Sequence, residues 1–188
     1  MQAARGASLN PSDPADEPVD EVRRATARTR SLVIFASLAA CGYAVDVISK
    51  VVAVARLTDQ PPVPVLGDLL QLTLVRNPGA AFSTGTSYTF LLSLVAVTAT
   101  IVVLFMARRL RNNMWAVGLG CLLGGVLGNL TDRIFRQPAV LRGHVVDFLA
   151  LPHWPVFNVA DMCINIAAAV IIVQAIRGVS HTGDRKAS

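Results

Sequence analysis

Four apolar runs, at residues 31–55, 88–107, 114–130 and 156–176, leave this chain few folds to choose from. At about 1.5 Å of helical rise per residue, runs of this kind match the roughly 30 Å hydrocarbon core of a bilayer. The third is somewhat short and rich in glycine. A backbone in lipid must satisfy its own hydrogen bonds, so each run is read as a helix. Charged residues make up only 15% of the chain, against about a quarter in soluble domains. The fold class expected is an all-α membrane protein. It is a four-transmembrane-helix bundle with a small extracytoplasmic β element between helices 1 and 2.

The formal net charge of +5 does not point to nucleic acid, because the arginines sit at the ends of the apolar runs. Arg23, Arg24, Arg28 and Arg30 precede the first run. Arg108, Arg109 and Arg111 fill the tight turn between the second and third, and Arg177, Arg185 and Lys186 follow the fourth. With alternating helices these segments share one side, which the positive-inside rule places in the cytoplasm. Residues 1–30, with Pro11, Pro14 and Pro18 and many charges, are read as a disordered cytoplasmic tail. They contain no apolar stretch and no cleavage site of a signal peptide. Residues 31–176 are the functional domain, and 177–188 form a cytoplasmic C-terminal tail. Cys41, Cys121 and Cys163 fall in three separate runs without ligand spacing and are read as packing residues.

Two longer segments, about 56–87 and 131–155, fall on the opposite, outer side. In the first, Leu70, Leu72 and Leu74 alternate with Gln71, Thr73 and Val75, the period of a strand. Asn77-Pro78-Gly79 then supplies turn chemistry. The outer β element is therefore placed at about 61–85.

The polar residues of the runs gather at that same side. Asp46 and Lys50 end the first run, Asn129, Asp132 and Arg133 end the third, and Asn158, Asp161 and Asn165 open the fourth. Asp147 lies in the connection before the fourth. Ionisable groups at membrane depth are costly and are functional candidates by default. Asn129, Asp132 and Arg133 share one helix face, as do Asn158, Asp161 and Asn165. Gly120, Gly124 and Gly128 repeat every four residues, a spacing that lets helices approach closely. They are expected to bring the third helix against the fourth. Two carboxylates in one site cannot easily both ionise, so one can activate water while the other polarises a carbonyl. Asp147 and Asp161 are the candidate pair.

Taken singly, these residues have plainer roles. Asp46 and Lys50 form an i,i+4 pair, Asp132 and Arg133 anchor a helix end, and Asp161 caps a helix. The histidines, His144, His153 and His181, have no zinc-site spacing. No nucleophile elbow or phosphate loop is present in the sequence. The competing functions are a small proton-coupled transporter or relay subunit with outer-leaflet carboxylates, and a noncatalytic scaffold. Spans nearly free of charge at their middles argue against a relay.

Five blocks in order carry a family resemblance. They are Asp46-Val-Ile-Ser-Lys50, Arg76-Asn-Pro-Gly-Ala-Ala-Phe-Ser83, Gly124-Gly-Val-Leu-Gly-Asn-Leu-Thr-Asp-Arg133, Val145-Val-Asp-Phe148 and Asn158-Val-Ala-Asp161. Over about residues 31–176 the chain resembles bacterial signal peptidase II. The resemblance implies a metal-free aspartic endopeptidase of the cytoplasmic membrane, with its site toward the outer face and no cofactor. It would remove signal peptides from diacylglyceryl-modified prolipoproteins, cutting just before the lipid-modified cysteine. Asp147 and Asp161 would be the catalytic dyad. Asn77, Gly79, Asn129, Arg133 and Asn158 would bind substrate or shape the site, with Asp46, Lys50 and Asp132 as structural support. The partners implied are lipid-modified prolipoproteins, membrane lipids and globomycin-type inhibitors, with no nucleic acid, and the protein is expected to act as a monomer.

Overall fold

The computed structural model describes residues 17–79 and 87–183. The elements run α1 (Glu17–Leu57), β1 (Val63–Leu66), β2 (Leu70–Asn77), α2 (Ser87–Ala107), α3 (Asn113–Phe135), β3 (Val145–Ala150) and α4 (Val159–Ile176). All four helices contain a segment long and apolar enough to cross a bilayer. The spans expected from the sequence lie within these helices, apart from the first three residues of 156–176, which precede α4.

One difference is at the N-terminus. Residues 17–30, read from composition as part of a disordered tail, continue α1 instead. Pro18 falls in the first turn, where its missing N–H costs nothing. After it come no further prolines or glycines until Gly42, and the Thr26 and Thr29 hydroxyls bond back to Val22 O and Ala25 O. Residues 1–16 lie outside the described residues. So do 80–85 of the expected β element and 184–188 of the C-terminal tail.

The start of that tail, 177–183, is pinned to the bundle. Trp115 Nε1 donates to Val179 O at 2.8 Å, and Arg111 N donates to His181 O at 3.0 Å. The arginine-bearing segments therefore meet at one end of the bundle, where Arg28 also reaches Arg108 O.

The sheet has three strands, of which the alternation in the sequence had marked only the second. β1 and β2 pair antiparallel in the 56–87 connection, and β3, from the connection between α3 and α4, pairs antiparallel with β2. Asp147, read as a loop residue, lies on β3 opposite Val75. Val145-Val-Asp-Phe148 is buried throughout, so no alternation betrays it as a strand. Val146 and Phe148 pack with Ala53 and Leu57 of α1 and so seat the sheet on the helix end.

α3 is the central helix and packs on the other three. Its glycines divide between two faces, in a way that corrects the expected packing. Gly120 and Gly124 face α1, not α4. A Cβ on Gly124 would stand 2.8 Å from Ala39 O, and one on Gly120 would stand 2.8 Å from Phe35 O. Gly128 continues this row against the Asp46 side chain. Gly118 and Gly125, off that row, lie against α4. The four-residue row turns only slowly around a helix, so it can serve one neighbour along its length. The outer faces of α2 and α4, with Leu91, Val95 and Phe105 on one and Ile166, Ile172 and Ile176 on the other, are exposed and apolar, as lipid-facing surfaces are.

Candidate active site

Strand β3, the end of α3 and the start of α4 bring the polar residues together. Asp147 is 2% exposed, while Asp161, three residues into the α4 end, is half-buried. Asn158 is the N-cap of α4, and its Oδ1 accepts from Asp161 N at 3.0 Å. Asp161 Oδ2 returns the bond by accepting from Asn158 N at 3.1 Å, a capping box. The plainer reading of Asp161 as a cap is therefore part of the structure. It uses one carboxylate oxygen and leaves the other to the site.

Two amides join the two carboxylates. Asn158 Nδ2 donates to Asp147 Oδ1 at 2.6 Å and to Asn129 Oδ1 at 3.2 Å. Asn129 Nδ2 donates to Asp161 Oδ1 at 2.9 Å. The orientation of Asn129 is forced, because its Oδ1 also faces Lys50 Nζ at 2.8 Å and an ammonium can only donate. Asp147 Oδ2 accepts from Asn77 Nδ2 at 2.9 Å. Asn77 is held in turn by Gly79 N, which donates to its Oδ1 at 2.8 Å.

Gly79 takes φ +99°, and a Cβ there would stand 2.5 Å from Leu92 Cδ1 and 3.3 Å from an Arg133 guanidinium nitrogen. Both the turn and the close approach require glycine. Arg133 Nη1 is buried and has no hydrogen-bond partner among the described residues. It is an unused donor beside the two aspartates.

Beneath this layer lies a buried charge cluster. Lys50 Nζ contacts Asp46 Oδ2 at 2.8 Å and Asp132 Oδ2 at 3.0 Å. Asp46 Oδ1 accepts from Ala160 N at 2.8 Å, and Asp132 Oδ2 accepts from Val146 N at 3.1 Å. The cluster thus ties α1 to α4 and α3 to β3, and through Asn129 it touches the carboxylate layer. Asp46 and Lys50 do form the i,i+4 pair, but a buried one with partners on other helices.

All ten sequence-derived candidates lie in this one region. Sequence reasoning missed Arg136, whose Nε pairs with Asp132, and Thr89, whose hydroxyl bonds to Pro78 O next to the Asn77 turn. The i,i+4 spacing of Arg136 from Asp132 was a usable signal. Thr89 gave none, since threonine is ordinary in an apolar helix. Among the described residues no three of His, Cys, Asp or Glu are grouped to hold a metal.

Burial is the main cause that lifts the Asp147 carboxyl from 3.8 to about 6, and the nearby Asp161 charge adds to it. The amide donors Asn77 and Asn158 and the Lys50 charge act in the opposite direction. Asp147 thus keeps its proton up to about pH 6, well above the ordinary carboxylate range.

The family model described as signal peptidase (SPase) II matches residues 38–177. The lipoprotein signal peptidase of Mycobacterium avium is 47% identical over 163 residues, 87% of this chain and 90% of its own. That of Rhodococcus jostii is 49% identical over 157 residues, 84% of this chain and 79% of its own. A bacterial membrane enzyme solved by the in meso method shares the fold, with a TM-score of 0.64 at 23% identity over 79% of this chain and 94% of that one. A family match across 38–177, with relatives this similar over most of both chains, establishes that the chain belongs to the signal peptidase II family of aspartic peptidases.

Proposed function

We infer that this protein removes signal peptides from diacylglyceryl-modified prolipoproteins, cutting just before the lipid-modified cysteine, with Asp147 and Asp161 as the catalytic pair. The observation that carries the reading is the convergence of two carboxylates from β3 and α4, joined through the Asn158 and Asn129 amides. The arginine-bearing segments gathered at the far end support a cytoplasmic position for that end and an outer-face position for the site.

In the cycle, ionised Asp161 takes a proton from water while protonated Asp147 gives its proton to the scissile carbonyl oxygen. The water oxygen bonds to the carbonyl carbon. Collapse of the tetrahedral intermediate returns a hydroxyl proton to Asp147, and Asp161 passes its proton to the leaving amine. The C–N bond breaks and both aspartates regain their starting states. The Arg133 Nη1 donor, which has no partner among the described residues, supports a role for Arg133 in holding a substrate carbonyl. A lipid-bearing substrate can enter sideways, since the site lies where two spans end.

The experiment is cleavage of a synthetic prolipoprotein, with and without the diacylglyceryl group, by purified protein in detergent. Mass spectrometry is expected to show one new N-terminus at the lipid-bearing cysteine. Equal cutting of the unmodified substrate, or a cut elsewhere, overturns the reading.

The same assay across pH tests the proton assignment. The free enzyme should lose kcat/KM on the alkaline side as Asp147 releases its proton, around pH 6. Asn77→Ala removes a donor that favours the charged carboxylate, so the limb should move to higher pH. A limb that stays in place or moves down shows that Asp147 is not the proton holder.

A further inference from the structure

On the other face of β2 from the aspartates lies a cavity of about 620 Å³ lined by Arg76, Phe135, Arg136, Gln137, Pro138 and His144. No carboxylate lines it. Its three basic side chains come from three places: β2, the C-cap of α3 and the residue before β3. Arg136 is steadied at the rim by its ion pair with Asp132. Among the described residues the Arg76 side chain and the His144 ring have no hydrogen bond or ion pair.

Position narrows the choice of ligand. Phe135, the last residue of α3, is 81% exposed at the end of a membrane span. The last residue of a span lies near headgroup depth. Guanidinium forks match phosphate oxygens in geometry as well as charge. Phe135 and Pro138 add an apolar wall suited to the start of an acyl chain. We propose that this cavity holds the phosphate of an anionic phospholipid from the surrounding leaflet.

The site has a consequence for the reaction. Arg76 and Asn77 are successive strand residues and point to opposite faces. Arg76 lines the cavity while Asn77 holds the Asp147 carboxylate. A headgroup bound on one face of β2 steadies the strand that orients the aspartate on the other. Only this consequence rests on the peptidase reading; the binding itself does not.

The test is lipid retention after extraction from phosphatidylcholine nanodiscs with and without phosphatidylglycerol, counted by native mass spectrometry. The parent protein is expected to keep one phosphatidylglycerol in preference to phosphatidylcholine. Arg76→Gln should weaken that preference about fivefold, the worth of one basic residue near an anionic surface. The double variant Arg76→Gln, His144→Gln should remove it, while Arg76→Lys keeps part of it. No preference in the parent, or an unchanged preference in the double variant, overturns the proposal. So does displacement by inorganic phosphate as effective as by the lipid, which would make this a site for the free anion. Loss of cleavage in Arg76→Gln with lipid retention intact would assign Arg76 to the peptide substrate and also overturn it.

Discussion

Asp147→Asn and Asp161→Asn are each expected to lower cleavage of a lipid-modified prolipoprotein by about 10³-fold or more, since each removes a proton-transfer group. The two should differ in stability. The Asp147 carboxyl is held near 6 against 3.8, so the folded state binds its proton more tightly than the unfolded chain. Its contribution is therefore fully present below about 3.8 and is lost as pH rises through about 6. Above that range the ionised group costs about 3 kcal/mol, the free energy of moving a carboxyl from 3.8 to about 6. Asparagine removes that charge at nearly the same volume, although one of its two hydrogen bonds is lost. Asp147→Asn should thus unfold near the parent temperature at pH 8, or above it. Asp161→Asn weakens the α4 capping box and should be destabilised by about 1 kcal/mol. Circular dichroism melts beside the cleavage assay check both. Near-parent activity in either folded variant would remove that residue from the catalytic pair.

Lys50→Met should be the most damaging change to the fold. Lys50 is 1% exposed and is the cation that Asp46 and Asp132 share. Without it the buried Asp46 carboxylate loses its cation while Asp132 keeps only Arg136, and breaking a buried ion pair from one side costs about 3–5 kcal/mol. At about 2–4 °C per kcal/mol for a chain of this size, the melting temperature should fall by about 10 °C. The same change removes the donor that sets the Asn129 amide, so activity should fall even below the melting range. Combining Lys50→Met with Asp46→Asn removes the stranded charge and should restore part of the stability. A Lys50→Met protein that melts with the parent would show that the cluster contributes little to the fold.

The transporter and scaffold readings left open by the sequence give way to family membership. Other expectations changed once the helices were placed in space. Gly120 and Gly124 signal close packing in one dimension, yet spacing alone does not name the partner. α1 occupies that face. Residues 17–30 are rich in charge, but charged residues are ordinary helix formers, and the flanking span nucleates the helix.

The sequence by itself determined the four spans, the placement of polar residues at one end, and the residue types able to act there. These follow from hydropathy and charge, which are properties of each segment on its own. Only the tertiary structure decided that Asp147 is a strand residue, that Asn158 and Asn129 link it to Asp161, and that Lys50 sets the Asn129 amide. A hydrogen bond between residues far apart in the chain depends on which helix faces which, and on where each amide finds a donor or an acceptor. Neither is encoded in the spacing of any one segment.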